Sequence, residues 1–395
     1  MNNRNFQYIE YAGPATGTAP VPASPNLDLS PTWAAGDRYC VIAMSAVSDF
    51  PGVFDVILEI NGVISFDHYI SARDFTNDVY SCPMIFAFNV LTGTELLQLY
   101  VDSDATAPDP GATIKQAGIY VFKMLENDQG NPITPTAGSS TTSTSFVDVT
   151  DATVTIAKTG DYLILANATV GKDETTANFD IRLAHTVAGP STTGYGQQSM
   201  RANSVTKFFP WAHMRKLSLT AGDVLTIQHK VTTTGTATTT YASIVALYLD
   251  DFPNALVIED TADASQNTAD TNWHDHGNMA TDYRLRAFDA LVLSCGQYRR
   301  GAGSVDASMQ TLYDGTTIQE TRNESVIANG EATHFCAKAL DPATAGDHTV
   351  TQQIKNHGTG ITSAFISDGC TAIIGMANNT TTIIRGGEVY GGEVY

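Results

Sequence analysis

Apolar positions along the chain fall into two patterns, and neither has the period of a helix. Residues 150–157 alternate, with Val154 and Ile156 on one face and Thr153 and Thr155 on the other; such alternation predicts a half-buried strand. The stretch Tyr162-Leu163-Ile164-Leu165-Ala166 is apolar throughout, which predicts a strand buried on both faces. Elsewhere, short runs rich in Val, Ile, Thr, Tyr and Phe are punctuated by Gly, Asp, Asn and Pro, the grammar of short strands and turns. No segment sustains a 3.6-residue apolar period, so the fold class is all-β.

The strands recur in a fixed order. A turn followed by an apolar strand occurs at Gly36-Asp37-Arg38-Tyr39-Cys40-Val41, at Gly160-Asp161-Tyr162-Leu163-Ile164 and at Phe288-Asp289-Ala290-Leu291-Val292. An Asp-headed strand follows at Phe54-Asp55-Val56-Ile57-Leu58, Phe179-Asp180-Ile181-Arg182-Leu183 and Val305-Asp306-Ala307-Ser308-Met309. Next come the loops Leu91-Thr92-Gly93-Thr94-Glu95, Leu219-Thr220-Ala221-Gly222-Asp223 and Ala343-Thr344-Ala345-Gly346-Asp347. Each unit closes on an apolar strand, at Gly118-Ile119-Tyr120-Val121-Phe122, Ser243-Ile244-Val245-Ala246-Leu247 and Cys370-Thr371-Ala372-Ile373-Ile374. A spacing of about 125 residues is domain-sized, longer than the roughly 20–50 residues of solenoid and propeller repeats. The expected organisation is three tandem β-sandwich domains with extended arms at both ends. The arms are residues 1–25 and 377–395, the domains 26–126, 145–252 and 273–376, with a linker at 127–144 and a connector at 253–272.

The order of strands, the Gly-Asp-Tyr opening, the Phe-Asp-x-x-Leu strand and the Leu-x-x-Gly-Asp loop resemble the tumour-necrosis-factor-like jelly roll, shared with complement globular heads and many phage virion proteins. The second unit fits best, through Thr159-Gly160-Asp161-Tyr162-Leu163, Leu219-Thr220-Ala221-Gly222-Asp223 and Ala246-Leu247-Tyr248-Leu249. The first unit lacks the Asp after Gly93, and the third has Ala287-Phe288 where the opening Gly belongs. The resemblance implies jelly-roll domains, a place in a virion, and trimers; three copies in one chain are then expected to pack as a pseudo-trimer or to extend as a row of beads.

Composition narrows the function. The 395 residues contain 41 acids and 21 bases, a net charge of −20. Nucleic-acid binding needs Lys and Arg to neutralise phosphates, and anionic lipid attracts basic segments, so neither partner is expected. Residues 1–7 lack the apolar run of a signal peptide, no stretch reaches ~18 apolar residues, and synthesis in a cytosol is expected. The five cysteines, Cys40, Cys82, Cys295, Cys336 and Cys370, follow no metal or redox spacing and read as reduced core residues.

Candidate chemistry is sparse. His274 and His276 beside Trp273 would point the same way on a strand, but no third ligand stands at a matching spacing, and they read as a polar strand end. The acidic loop with Asp102, Asp104 and Asp109 lacks the calcium-hand spacing. The aromatics Phe208, Phe209 and Trp211 suit sugar stacking or a core or intersubunit cluster, and the cluster is the preferred reading. No phosphate loop, dinucleotide fingerprint or nucleophile motif occurs, so no enzyme, no cofactor and no metal site is expected. The arms are the candidate binding elements. Phe6, Tyr8 and Ile9, and Ile383, Ile384, Val389 and Tyr390 of the tail with its duplicated Gly-Gly-Glu-Val-Tyr, need an apolar surface to cover them, such as a neighbouring sheet edge. Removal of residues 1–25 is expected to leave the three domains folded.

The function expected is that of a virion structural protein, assembled in the host cytoplasm. As a capsid decoration or cement protein it bridges neighbouring subunits of the major capsid protein. The alternative is a tail or head fibre that binds a host surface glycan.

Overall fold

The computed structural model describes residues 4–12, 27–48, 52–72, 79–103, 113–131, 139–172, 178–187, 191–201, 207–232, 234–252, 255–260, 271–276, 281–285, 289–300, 307–323, 331–340, 346–357, 364–376 and 384–385. The first unit comprises β1 (Gln7–Ala12), β2 (Leu27–Leu29), β3 (Arg38–Ser48), β4 (Gly52–Ile60), β5 (Val63–Ala72), β6 (Val79–Asn89), β7 (Leu97–Ser103) and β8 (Thr113–Lys123). The second comprises β9 (Gln129–Gly130), β10 (Ser139–Thr141), β11 (Val147–Thr155), β12 (Gly160–Lys172), β13 (Asn178–Thr186), β14 (Thr192–Arg201), β15 (Lys207–Leu219), β16 (Val224–Val231) and β17 (Ala237–Tyr248). The third comprises β18 (Ala255–Asp260), β19 (His274–Asp275), β20 (Thr281–Leu285), β21 (Ala290–Arg300), β22 (Ala307–Tyr313), β23 (Thr316–Asn323), β24 (Glu331–Leu340), β25 (Gly346–Asn356) and β26 (Ala364–Gly375). A last strand, β27 (Ile384–Arg385), returns to lie parallel to β1, with Ile9 opposite Ile384. A 3-10 turn, Leu249–Asp251, is the one helical segment among the described residues.

All three units share one strand order. The inner sheets run β1-β8-β3-β6, then β9 and β10 beside β17-β12-β15, then β18-β26-β21-β24. The outer sheets run β2-β7-β4-β5, β11-β16-β13-β14, and β19 and β20 beside β25-β22-β23. Counted within a unit, this is first-eighth-third-sixth against second-seventh-fourth-fifth, the two-sheet jelly roll. A single pairing, Arg322 with Val79, joins β23 to β6 and merges an outer sheet of the third unit with the inner sheet of the first.

The continuously apolar strands now have a cause. On β3, Tyr39, Val41 and Ala43 point into the first unit's own core, while Cys40, Ile42 and Met44 point the other way. On β12, Tyr162, Ile164 and Ala166 fill the second unit, while Leu163 and Leu165 leave it. The outward sets meet Leu291, Leu293, Phe335, Ala337 and Ile373 of the third unit in one shared cluster. The three inner sheets thus bury their second faces against one another, and the units form one packed body rather than a row of beads. Each fully buried Leu, Ile or Phe contributes about 1.5–3 kcal/mol relative to exposure.

Segments expected to be connectors are part of the sheets. Within 127–144, β9 and β10 pair with β17, and Asp128 and Asn131 are buried. Within 253–272, β18 pairs with β26 along its whole length. In the expected N-terminal arm, β1 pairs with β8 from Gln7 to Ala12. The pairing follows from the apolar side chains Phe6, Tyr8 and Ile9, whose burial outweighs the neighbouring Pro/Gly-rich signal.

The shared cluster makes a testable demand. Ile42→Ala, at a fully buried position, should cost about 2–5 kcal/mol. Calorimetry should show the transition of the whole chain moving down together; a thermogram in which one part shifts while the rest stays in place would contradict a common core.

Candidate assembly interfaces

A lone sheet edge exposes backbone N–H and C=O groups that must find partners when buried. The sixth strand of each inner sheet (β6, β15 and β24) is such an edge, and side chains of a neighbouring unit cap it. On β24 the groups that accept from its amides come from the first unit, while Gln319 of the third unit's own β23 donates to the Phe335 carbonyl at 2.8 Å. Ser81 Oγ accepts from the Phe335 amide at 3.2 Å, Met44 Sδ from the Ala337 amide at 3.0 Å, and Glu10 Oε1 from the Ala339 amide at 2.7 Å. On β6 they come from the second unit: Asn167 Oδ1 accepts from the Ile85 amide at 3.1 Å, and the Ser243 hydroxyl donates to the Ile85 carbonyl. On β15 they come from the third unit: Cys295 Sγ donates to the Ala212 carbonyl at 3.6 Å, and Glu259 Oε1 accepts from the Lys216 amide at 2.5 Å.

These contacts are quasi-equivalent. Within their own units Met44, Asn167 and Cys295 lie opposite Pro83, Ala212 and Phe335. Asn167 and Cys295 each directly precede a β-bulge towards the eighth strand. Tyr39 and Tyr162, five residues before Met44 and Asn167, fill the cores of their units. Glu10 and Glu259 both sit on first strands and cap the sixth strand of the adjoining unit. The first unit caps the third, the third caps the second and the second caps the first, so the contacts close into a ring with pseudo-threefold character. Burial is the leading influence on Glu10 and Glu259 and raises both carboxyls above the ordinary range, against the amide hydrogen bonds that hold the charged form.

The expected binding residues of the N-terminal arm lie inside this body. Phe6 and Tyr8 stack at 5.4 Å in the shared cluster, and Ile9 is buried in the first unit's core. Arg4 is 1% exposed and pairs at 2.5 Å with fully buried Asp128, which also accepts from the amides of Leu125 at 2.8 Å and Tyr248 at 2.9 Å. The Arg4 guanidinium lies 3.6 Å over the Phe252 ring. One buried ion pair therefore ties the N-terminus to the ends of both the first and the second unit. In the tail, Ile384 pairs with Ile9; Ile383, Val389 and Tyr390 lie outside the described residues.

The other candidates are dispersed. His276 is buried and its amide bonds the Gln352 carbonyl at 2.8 Å; His274 sits opposite Ile354 at a sheet edge. Among the described residues no group of three or more His, Cys, Asp or Glu is placed to hold a metal ion. Asp104 and Asp109 lie outside the described residues, as does the side chain of Asp102. Trp211 is fully buried in the second unit's core with Phe209 packed against it, the core reading of that cluster. All five cysteines are buried free thiols. The residues that sequence reading missed are Arg4, Glu10, Met44, Asn167, Cys295 and Glu259. One signal was available: Asn167 is a polar residue in the middle of an otherwise apolar strand.

Two consequences can be measured. His213, buried near the junction of the second and third units, and His334 are pushed down to about 3 by burial, His213 also by Arg215; burial holds His229 at about 4. Folded-state values below the unfolded 6.5 mean that their contribution is complete above pH 6.5 and is lost as pH falls towards 3–4. The loss amounts to about 1.4 kcal/mol per pH unit per histidine. His213→Gln should flatten the fall of Tm between about pH 6 and pH 4; an unchanged slope would refute the assignment. Deletion of residues 1–12 should lower stability by at least about 3–5 kcal/mol, the cost of stranding a buried charge such as Asp128. A chain as stable as the full one in urea would refute that.

No known protein family matches the chain, and no curated protein does. Solved structures that resemble it include the triple jelly-roll turret protein of an archaeal virus, at 12% identity and a TM-score of 0.22, covering 95% of this chain and 91% of that one. Another is a structure of infectious bursal disease virus, Gt strain, at 9% identity and a TM-score of 0.24, covering 87% of this chain and 68% of that one. A third is a tandem CBM22 domain pair of Paenibacillus barcinonensis Xyn10C, at 9% identity and a TM-score of 0.19, covering 60% and 91%. These likenesses are weak, and this chain's own strand order defines its fold.

Proposed function

We propose that the chain is a structural protein of a virion, a capsid decoration or cement protein that contacts neighbouring subunits of the major capsid protein and stiffens the shell. The observation that carries this reading is the closed ring of three jelly rolls within one chain. A body with three quasi-equivalent sides suits a site where three shell subunits meet, and it delivers that symmetry without assembling three separate chains, whose association would cost translational and rotational freedom. The acidic surface, with a net charge of −20, favours solubility before attachment. With Phe6, Tyr8 and Ile9 engaged inside the ring, the tail residues Val389 and Tyr390 remain the arm's candidates for contact with a neighbouring subunit.

A stained gel of purified particles tests the assignment. A decoration protein should be present in many copies per particle, and particles lacking it should release their contents at lower temperature. Absence from particles would reject the reading. A scarce copy number, together with antibody that blocks adsorption to the host, would assign the chain to a receptor-binding fibre instead.

A further inference from the structure

Each fifth strand lies beside the sixth strand of another unit: β23 beside β6, β5 beside β15 and β14 beside β24. β23 and β6 join through main-chain pairing, at Arg322 and Val79. β14 meets the third unit through side chains instead. The Gln297 amide donates to the Gly196 carbonyl at 2.9 Å, and the Thr333 hydroxyl donates to Gln198 Oε1 at 2.9 Å. Gln297 and Thr333 stand opposite each other on β21 and β24.

His213 lies beneath this junction. Its ring rests against Gly196, which holds φ +56° and where a Cβ would collide with the imidazole. Trp211, on the same face of β15, stacks on the ring at 6.4 Å. His213 is 2% exposed, and among the described residues neither ring nitrogen has a hydrogen-bond partner. Gln198 Nε2, Gln297 Oε1 and Trp211 Nε1 are buried without partners as well. His334 and His229 are built differently: the first bonds Thr311 and Thr321, the second Thr239. At position 213 a neutral imidazole is tolerable, whereas an imidazolium buries a charge and two N–H groups that have no acceptor.

Among the described residues no carboxylate reaches the ring. Arg215, two residues along β15, is the charge that acts on it and opposes a second positive charge. Arg215 itself stacks on Tyr195 at 4.3 Å and stands 4.0 Å from Asp368 of β26. Glu259 of β18 is bound to the Lys216 amide. β6 carries no charged residue, and β12, β14, β21 and β24 carry theirs towards their ends, at Asp161, Lys172, Arg201, Arg299, Arg300, Glu331 and Lys338. The side chains of Asp67 and His68 on β5, and of Asp260 on β18, lie outside the described residues.

We propose that the seam between the second and third units is an acid-operated latch: a proton taken up by His213 parts β14 and β15 from the third unit, while the other two seams stay closed. In the parted state water hydrates the imidazolium and the Gln198 and Gln297 amides, and the bond from Cys295 to the Ala212 carbonyl is broken. This is a partial opening of the folded body, distinct from loss of the common core. It concerns the ring itself and does not depend on the virion reading. Burial, with Arg215 adding to it, holds the ring's value at about 3 in the closed state, against an ordinary 6.5. The closed state therefore takes up the proton less readily. The open fraction grows as pH falls, by up to about tenfold per pH unit between about 6 and 4. Glu259 acts in the opposite sense, because burial raises its carboxyl in the closed state. A substitution at His213 isolates the imidazole.

The native thiols report the step. Cys295 sits on the seam, and Cys82 lies in the first unit's own core. The full-length chain is pulsed with dithiodipyridine between about pH 7 and pH 4, each rate is normalised to that of glutathione at the same pH, and the modified cysteine is identified by mass spectrometry. Normalised reactivity of Cys295 should rise at least about threefold per pH unit between about 6 and 4, while Cys82 stays protected. His213→Gln should remove the rise and His334→Gln should keep it. A Cys295 rate independent of pH would overturn the latch, as would a Cys82 rate that climbs in step with it. So would a rise that survives His213→Gln or is lost in His334→Gln. Should His213→Gln not fold, Cys295 against Cys82 in wild type and in His334→Gln decides between the latch and general unfolding.

Discussion

Burial of three apolar sheet faces against one another is the constraint from which the rest of this structure follows. A jelly roll normally buries one face of each sheet and wets the other. Here β3, β12 and β21 are apolar on both faces, so no unit can leave its inner sheet in water without exposing a large hydrophobic patch. Joining the three faces removes those patches but also buries the edges of β6, β15 and β24. Their backbone groups then need partners from outside their own sheets, and Met44, Asn167, Cys295, Glu10 and Glu259 supply them. The apolar core gives the ring its stability, and the edge caps fix how the units are turned relative to one another.

The polar groups inside the ring are consistent with that division of labour. A buried ion pair such as Arg4–Asp128 is a weak source of net stability, because desolvation offsets the attraction, yet removing one partner is expensive. Its value lies in position: two of the groups that donate to its carboxylate are amides at the ends of different units. The third unit takes the principle further. Its apolar residues divide between a small cluster, Tyr298, Ala307, Met309, Ile354 and Ile366, and the shared cluster, which takes in both faces of β21 and the outer-sheet residues Ile318 and Val350. Beside it runs a hydrogen-bonded network in which Thr311 meets both Ser294 and His334 at 2.8 Å, and Thr321 meets His334 at 3.0 Å. Gln352 adds bonds to Ser294 and to the Cys295 and Cys370 carbonyls. Buried networks of this kind favour one arrangement over others, and most of the third unit's apolar burial lies in the cluster it shares with the other two.

The loop motif shows how equivalent structure survives unequal sequence. The second unit caps its turn with Asp223, whose carboxylate accepts from the Thr220 amide at 2.9 Å. The first unit has no Asp after Gly93, but Glu95, one residue further on and one methylene longer, reaches the Thr92 amide at 2.6 Å and the Gly93 amide at 2.9 Å. What looked like a departure from the jelly-roll pattern is the same cap built with a different side chain.

Strand content, the threefold repeat and the two-sided burial of strands such as Tyr162–Ala166 were legible in the chain, because alternation and turn residues report local geometry directly. The burial of Trp211 and of the five cysteines was legible for the same reason. The ring was not. An apolar face states that it must be covered, but not by what, since any apolar surface lowers the free energy of exposure about equally per unit area. For that reason Phe6, Tyr8 and Ile9 looked equally suited to a neighbouring molecule and to their own chain, and the stretch after Glu126 looked like a free linker. Only the three-dimensional arrangement selects the partner. It does so through directional hydrogen bonds at the edges of β6, β15 and β24, between residues far apart in sequence, where geometry and not composition decides which groups can meet.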